Sequence, residues 1–386
     1  MASPGTAPIS ISLESARGSS TVATDSLLTA MLRSHQQVSD LIFSPGRLPQ
    51  VEIHGQLIAV QGPGLSPLTA DDTRRIASDL IGSNKQAIAT LREQGSCDVS
   101  FALPGLARFR VNVFIQRGSC AVVMRVIPTT VPDLASLGLP PQLAEIATLR
   151  DGIVLVTGPR GSGKSSTLAA LLDLINREQV CHIITIEDPI EFLHNHKRAT
   201  IHQRELHSDT PSMPMALRAA LRQSPNVILV SELHDRDTAE MALEAAETGH
   251  LVLSSLNTLD VAQTWKRVAG LFSATEQPGA RSRLAKAARY FISQRLLPRK
   301  DGRQRVPAVE ILKINPGTVE FTDGNEFSGQ TLLQTLKGGS SEGMQYFDGE
   351  IEKLVRANIV DLKTAMTYAT DPQHLRQALQ DFQPEN

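Results

Sequence analysis

No run of this chain stays apolar for the roughly 20 residues that a membrane-crossing helix needs. Nor does the N-terminus show the basic-then-apolar layout of a secretory signal peptide. Cysteine is scarce: Cys97, Cys120 and Cys181 are scattered, odd in number and without metal-ligand spacing. They read as structural thiols of a reducing compartment, not as a disulfide framework. There is no excess of either charge, since 38 Lys and Arg face 40 Asp and Glu for a net of −2. A global basic surface for nucleic acid is therefore absent. These absences point to a cytoplasmic location, with no direct membrane insertion and no nucleic-acid partner.

What remains is an ordinary globular composition, 41% hydrophobic and 20% charged, spread over 386 residues. That length exceeds one typical core and suggests two domains with tails. Residues 1–24, rich in Ser, Thr, Ala and Gly, are expected to be disordered. Residues 25–127 read as a small α/β domain: a helix from Leu27, strands over 40–43 and 50–54, and a helix over 71–93. A strand pair then follows at 107–116 and 120–127. In the first of these strands Arg108, Arg110 and Asn112 alternate with Phe109, Val111 and Val113, which puts the arginines on one face. Residues 128–141 contain four prolines and read as a linker. Beyond it, strands alternate with helices over a core at 142–300, which predicts a mainly parallel sheet. From about Thr275, and throughout 301–386, the pattern looks mostly helical.

The most informative segment is IVLVTGPRGSGKS at 153–165, which fits G-x-x-x-x-G-K-[ST] at Gly158, Gly163, Lys164 and Ser165. The β-formers Ile153 to Val156 precede it, and Leu168, Leu171, Leu172 and Ile175 follow at helical spacing. Pro159, Gly161, Ser162 and Ser166 complete the candidate loop. Its glycines let backbone N–H groups close around phosphates, and the following helix points its positive end at the same charge. Lys164 would reach the β/γ-phosphates and the Ser165 hydroxyl would hold Mg²⁺, so ATP and Mg²⁺ are the expected ligands.

Two further apolar strands end in acids. One runs into EDPIE at 187–191, the other from Val227 to Glu232. Ligands of parallel sheets sit beyond such strand ends. Glu232 is the candidate for the metal-side acid, acting through water. Glu187 or Glu191 would position and deprotonate the attacking water, with a slight preference for Glu191. His250 follows the helix-ending Gly249, and two readings stay open for it: a phosphate sensor or a helix C-terminal cap. Arg108, Arg110 and Arg125 are either a solvated strand face or arginine fingers for a nucleotide held by a neighbouring domain or subunit.

Taken together, these residues resemble the secretion ATPases (the GspE family) that drive type II secretion, pilus extension and pilus retraction. The likeness rests on the loop, TIEDPIEF at 185–192, LRAALRQSPNVI at 217–228 leading to Glu232, TGHLV at 248–252, SQRLLP at 293–298 and GMQ at 343–345. It covers roughly residues 25–375. The short N-terminal part and the lack of a four-cysteine zinc module are similar to the retraction (PilT/PilU-type) members. The resemblance implies a PAS-like N-terminal α/β domain, a RecA-like P-loop domain with a helical C-terminal extension, and ATP held between the two. It also implies a homo-hexamer docked on an inner-membrane platform protein at the base of a pilus, with a paralogous motor as a possible second partner. Several positions depart from the family pattern. Arg160 and Ser166 stand where Thr is common, Ser231 replaces a Gly, and Leu233-His234 replaces Met-Arg. Asn257 occupies the second histidine of the His box, and residues 315–327 lack the run linked with retraction. The expected function is a Mg-dependent ATPase motor for pilus retraction. The alternatives are a low-turnover accessory subunit of such a motor and an extension or type II secretion ATPase.

Overall fold

The computed structural model describes residues 8–11, 23–128, 130–302, 304–315, 318 and 329–380. Two compact units, Met1–Thr129 and Thr130–Asn386, divide the chain.

The first unit is built on a seven-stranded sheet. Its strands are β1 (Ile9–Ser10), β2 (Val38–Phe43), β3 (Gln50–Ile53), β4 (Gln56–Gln61), β5 (Ser96–Leu103), β6 (Ala107–Gln116) and β7 (Ser119–Ile127), in the order β1-β4-β3-β2-β7-β6-β5. Helices α1 (Thr24–Arg33), α2 (Ala70–Ile81) and α3 (Lys85–Gln94) supply the remaining apolar faces. Leu28, Met31, Phe43 and Phe109 are fully buried in its core. The segment expected to be disordered, 1–24, is ordered in part: Ile9–Ser10 pair in parallel with β4 and Ile11 is buried. Residues 1–7 and 12–22 of it lie outside the described residues. The single helix expected over 71–93 is two helices. Gly82 adopts a positive φ of 56° after α2, and the Asn84 side chain caps α3 by accepting from the Ala87 N–H. Apolar spacing carries on through this break, which is why periodicity alone does not reveal it.

The second unit carries another seven-stranded sheet. In chain order its strands are β8 (Gly152–Thr157), β9 (His182–Glu187), β10 (Thr200–Glu205), β11 (Val227–Val230), β12 (Leu251–Leu256), β13 (Ala288–Pro298) and β14 (Arg305–Lys313). Their order across the sheet is β10-β9-β11-β12-β8-β13-β14, parallel throughout except for antiparallel β14. All six residues of β8 are buried, as a central strand covered on both faces requires. Helices α4 (Lys164–Glu178), α5 (Met213–Ala220), α6 (Arg236–Glu247), α7 (Val261–Ala269) and α8 (Gln277–Ala287) pack around the sheet. Leu134, Leu137 and Leu139, within the expected linker 128–141, pack into the core around Leu171 and Ile175 instead of bridging freely.

The mostly helical character expected after Thr275 and over 301–386 fails at β13 and β14, which are among the longest strands of the unit. Helices do follow them, at Phe347–Arg356, Leu362–Tyr368 and Pro372–Ala378, around a small core of Phe347, Ile351 and Leu375. On β14, Glu310 is buried and accepts from the Val261 N–H at the start of α7 at 2.9 Å. Burial, its largest cause, raises the Glu310 pKa to about 7 from a usual 4.5. The unfolded chain releases this proton first, so the stability contributed by protonated Glu310 is full below about pH 4.5 and is lost as pH rises through 7. Glu310→Gln should flatten this loss, which amounts to something on the order of 3 kcal/mol. Urea unfolding at pH 5 and pH 8, run on wild type and variant, measures it. An equal pH dependence in the two would assign the effect elsewhere.

Candidate active site at the phosphate-binding loop

The loop is shaped by its contact with β13. Gly158 has φ 149°, and a Cβ there would lie 2.4 Å from the Gln294 carbonyl oxygen and 2.5 Å from Ser162 Oγ. Gly163 has φ 91°, and its Cβ would lie 2.8 Å from Gln294 Nε2. The same Gln294 side chain accepts from Thr167 Oγ1 in the first turns of α4 at 2.7 Å. Next to it, Ser293 and Thr157 hydroxyls meet at 2.7 Å, tying β13 to the end of β8. Gln294 thus braces the loop and the helix together. Ser162 is buried, whereas Pro159, Arg160, Gly161 and Ser165 are exposed.

At the mouth of this loop, the Lys164 ammonium donates to the carbonyls of Gly158 at 2.9 Å and Pro159 at 3.2 Å, and to Asn257 Oδ1 at 2.8 Å. Asn257 in turn donates from Nδ2 to Glu232 Oε1 at 2.6 Å. Burial, first among the causes, lowers the Lys164 pKa; Arg160 adds to this, and Glu232 and Glu191 oppose it. A cation, a carboxylate and the amide between them therefore converge beyond the C-terminal ends of β11 and β12, beside the N-terminus of α4, whose positive end favours an anion.

The acidic turn after β9 separates two carboxylates that the sequence leaves as alternatives. Glu187 is buried and accepts from Thr185 Oγ1 at 2.6 Å and Gln203 Nε2 at 3.0 Å. Burial, the leading cause, raises its pKa, against these bonds and one from the Glu191 N–H. Glu205 on β10 is also buried and accepts from the Ile190 N–H at 3.1 Å. These two carboxylates hold the backbone of the turn, while the Glu191 side chain is exposed and its charge reaches Lys164.

Register decides the case of His250. β12 runs parallel to β8, with Leu251 opposite Gly152 and Leu256 opposite Thr157. His250 precedes the first pair and Asn257 follows the last, so about 20 Å of strand separates them. His250 lies at the far edge from the loop, where its Nδ1 sits 2.9 Å from the Ala245 carbonyl oxygen and 3.3 Å from Thr248 Oγ1. Of its two readings, the structure supports the cap on the end of α6 and does not bring His250 to Lys164. Asn257 takes that place. The signal that finds it is the pairing of β12 with β8, which sequence spacing alone does not supply.

In the first unit, Arg110 lies opposite Arg125 on the β6–β7 hairpin, with Arg108 two residues along the same face. Arg125 Nε donates to Asp40 Oδ1 at 2.9 Å, and Asp40 is buried. Placing this acid beside the pair offsets the repulsion of like charges directly across strands.

The family model described as "Type II/IV secretion system protein" matches residues 54–369, most of the chain. The chain belongs to this family. Among curated relatives, it is 40% identical over 327 residues to the "Twitching motility protein" of Neisseria gonorrhoeae, covering 85% of this chain and 86% of that one. It is 38% identical to the "Type IV pilus retractation ATPase PilT" of Pseudomonas aeruginosa, covering 88% and 96%. Among solved structures, the pilus retraction motor PilT with bound ADP superposes with a TM-score of 0.76 at 38% identity, covering 88% of this chain and 95% of that one. The second unit of this secretion-family chain thus has the RecA-like secretion ATPase fold expected from its motifs. No helix of the described residues is long and apolar enough to cross a membrane.

For a metal, the second unit of this family member offers hard oxygens rather than a cage. No cluster of three or more His, Cys, Asp or Glu able to hold an ion occurs among the described residues. The Ser165 hydroxyl is exposed in the first turn of α4, and the Glu232 carboxylate lies beyond β11. That donor set fits Mg²⁺, which keeps several waters and binds through few protein oxygens and substrate phosphates.

Proposed function

We propose that this secretion-family ATPase hydrolyses Mg-bound ATP at the 158–166 loop and uses the turnover to retract a type IV pilus, giving twitching motility. The observation that carries the reading is the convergence of Lys164, Asn257 and Glu232 beside the loop. The names borne by the relatives of near-40% identity point the same way. Backbone N–H groups between Gly158 and Ser165 bind the phosphates, joined by the Lys164 ammonium. Ser165, with Glu232 through water, would hold Mg²⁺, which neutralises charge on the phosphates when bound. Glu191 orients and deprotonates the attacking water, and Glu187 fixes the turn that presents it. Arg108, Arg110 and Arg125 enter on the resemblance alone, as residues that neutralise transition-state charge. The working form in this reading is a homo-hexamer, cytoplasmic and docked on an inner-membrane platform protein at the pilus base, with a paralogous motor as a second partner.

One observation favours the alternative of a low-turnover accessory subunit: the Asn257 amide engages both Lys164 and Glu232, where the family pattern has a histidine. The run linked with retraction, absent from 315–327, bears on direction, but most of that segment lies outside the described residues.

The test is a chromosomal deletion, complemented with wild type or Glu232→Gln and scored for surface pili and twitching. Surplus pili without twitching, restored only by wild type, is the expected result. Absent pili would mean an extension motor, and normal pili with normal twitching would overturn the assignment to a pilus.

A further inference from the structure

Asn257 stands between two groups whose hydrogen-bonding roles are fixed by charge. An ammonium only donates and a carboxylate only accepts, so the amide has a single possible orientation: Oδ1 toward Lys164 Nζ at 2.8 Å, Nδ2 toward Glu232 Oε1 at 2.6 Å. An ammonium has three hydrogens, and all three are committed here, to the Gly158 and Pro159 carbonyls and to Asn257. A phosphate oxygen that recruits Lys164 must therefore displace one of these acceptors. The two carbonyls belong to a loop braced by Gln294 and by the close approach at Gly158. The amide is on a side chain just past the end of β12, where rotation about its own bonds is enough to release it.

We propose that Asn257 is a positioning residue that relays phosphate engagement at Lys164 to the Glu232 carboxylate. When Lys164 turns to phosphate, Oδ1 loses its donor and the amide turns, with Nδ2 still on the Glu232 carboxylate. The carboxylate is thereby drawn to its working position only when the loop is filled. In the resting arrangement the same amide competes with nucleotide for Lys164. The inference rests on ATP binding at this loop and goes beyond it, in assigning a role to a residue outside the phosphate loop and outside the two acids.

Two substitutions separate the halves of the relay. Asn257→Ala removes the competitor for Lys164 and the link to Glu232 together. ADP should then bind about 3–10-fold tighter, while kcat falls about 10–100-fold. Asn257→Asp keeps, and strengthens, the acceptor for Lys164 but repels Glu232. ADP should bind about 3–10-fold weaker, and kcat again falls. The probes are fluorescent ADP titrations and steady-state phosphate release on the full-length protein, with melting temperature as the check on folding. Tighter ADP binding in Asn257→Ala with slower turnover supports the relay. Unchanged kcat, or binding, turnover and melting temperature falling together, overturns it. The pilus assignment fails on a different readout, the pilus count. ADP affinity tests the relay even in a chain of low turnover.

Discussion

Lys164→Ala is expected to reduce ATP turnover by at least about 100-fold, the cost typical of removing one preorganised donor from a site of developing charge. The argument is local. Lys164 is the cation at the mouth of the loop, positioned by two loop carbonyls and by Asn257. Burial already lowers its pKa, so part of the water that would screen its charge is gone, and its attraction for a phosphate is correspondingly stronger than that of a surface lysine. Alanine leaves the carbonyls of Gly158 and Pro159 without this donor. Pro159 is exposed, so water replaces the donor there, while Gly158 is buried and its carbonyl is left short of a partner; melting should fall by about 2–8 °C, or roughly 1–2 kcal/mol. Loss of turnover with a preserved fold identifies the loop as the source of activity. Phosphate release and thermal melting on the same preparation decide it. A turnover within about threefold of wild type would place hydrolysis elsewhere.

The phosphate loop is the part of the site most legible in sequence because every element of it is local. An apolar β-branched run, glycines at fixed offsets and a helical repeat lie consecutively within 153–175, and the observed β8, loop and α4 follow in that order. The hairpin of Arg108, Arg110 and Arg125 is legible for a similar reason: strand alternation fixes the face and a two-residue turn fixes the pairing. Other parts depend on contacts distant in sequence. Asn257 and His250 are seven positions apart on one strand and its flanks, and only the parallel pairing with β8 says which of them reaches the loop. Gln294 shapes the loop from 127 residues away from its partner Thr167. The strand β13 is hidden because ARYFISQRLLP continues an Ala- and Leu-rich helical composition, and its sheet neighbours outweigh that local preference. Glu187 and Glu191 look alike in sequence; burial tells them apart, and burial is set by β10 and Gln203.

The brace between loop and β13 leads to the second large effect, a graded series at three glycines. Gly158→Ala should be the most damaging. Its Cβ would lie 2.4 Å from a backbone carbonyl of the central sheet, which cannot move without shifting β13, and its φ of 149° suits glycine. Strained backbone and overpacking each cost about 1–3 kcal/mol, so a total of about 3–5 kcal/mol is expected. For a unit of this size that is a fall of about 10 °C in melting temperature. At Gly163 the obstructing atom is the Gln294 side-chain nitrogen, 2.8 Å away, which can swing aside at the expense of its bond with Thr167. Gly163→Ala should therefore cost less, about 2 kcal/mol. Gly161 has φ 76° but nothing within 4 Å of an added Cβ, so Gly161→Ala carries only the backbone strain, about 1 kcal/mol. The expected order of destabilisation is Gly158, then Gly163, then Gly161, and ADP affinity should fall in the same order because the first two distort the N–H cradle itself. Thermal melts and ADP titrations on the three variants measure both. Equal losses at Gly158 and Gly161 would mean that the Gln294 carbonyl does not shape the loop, and that the glycines serve conformational freedom alone.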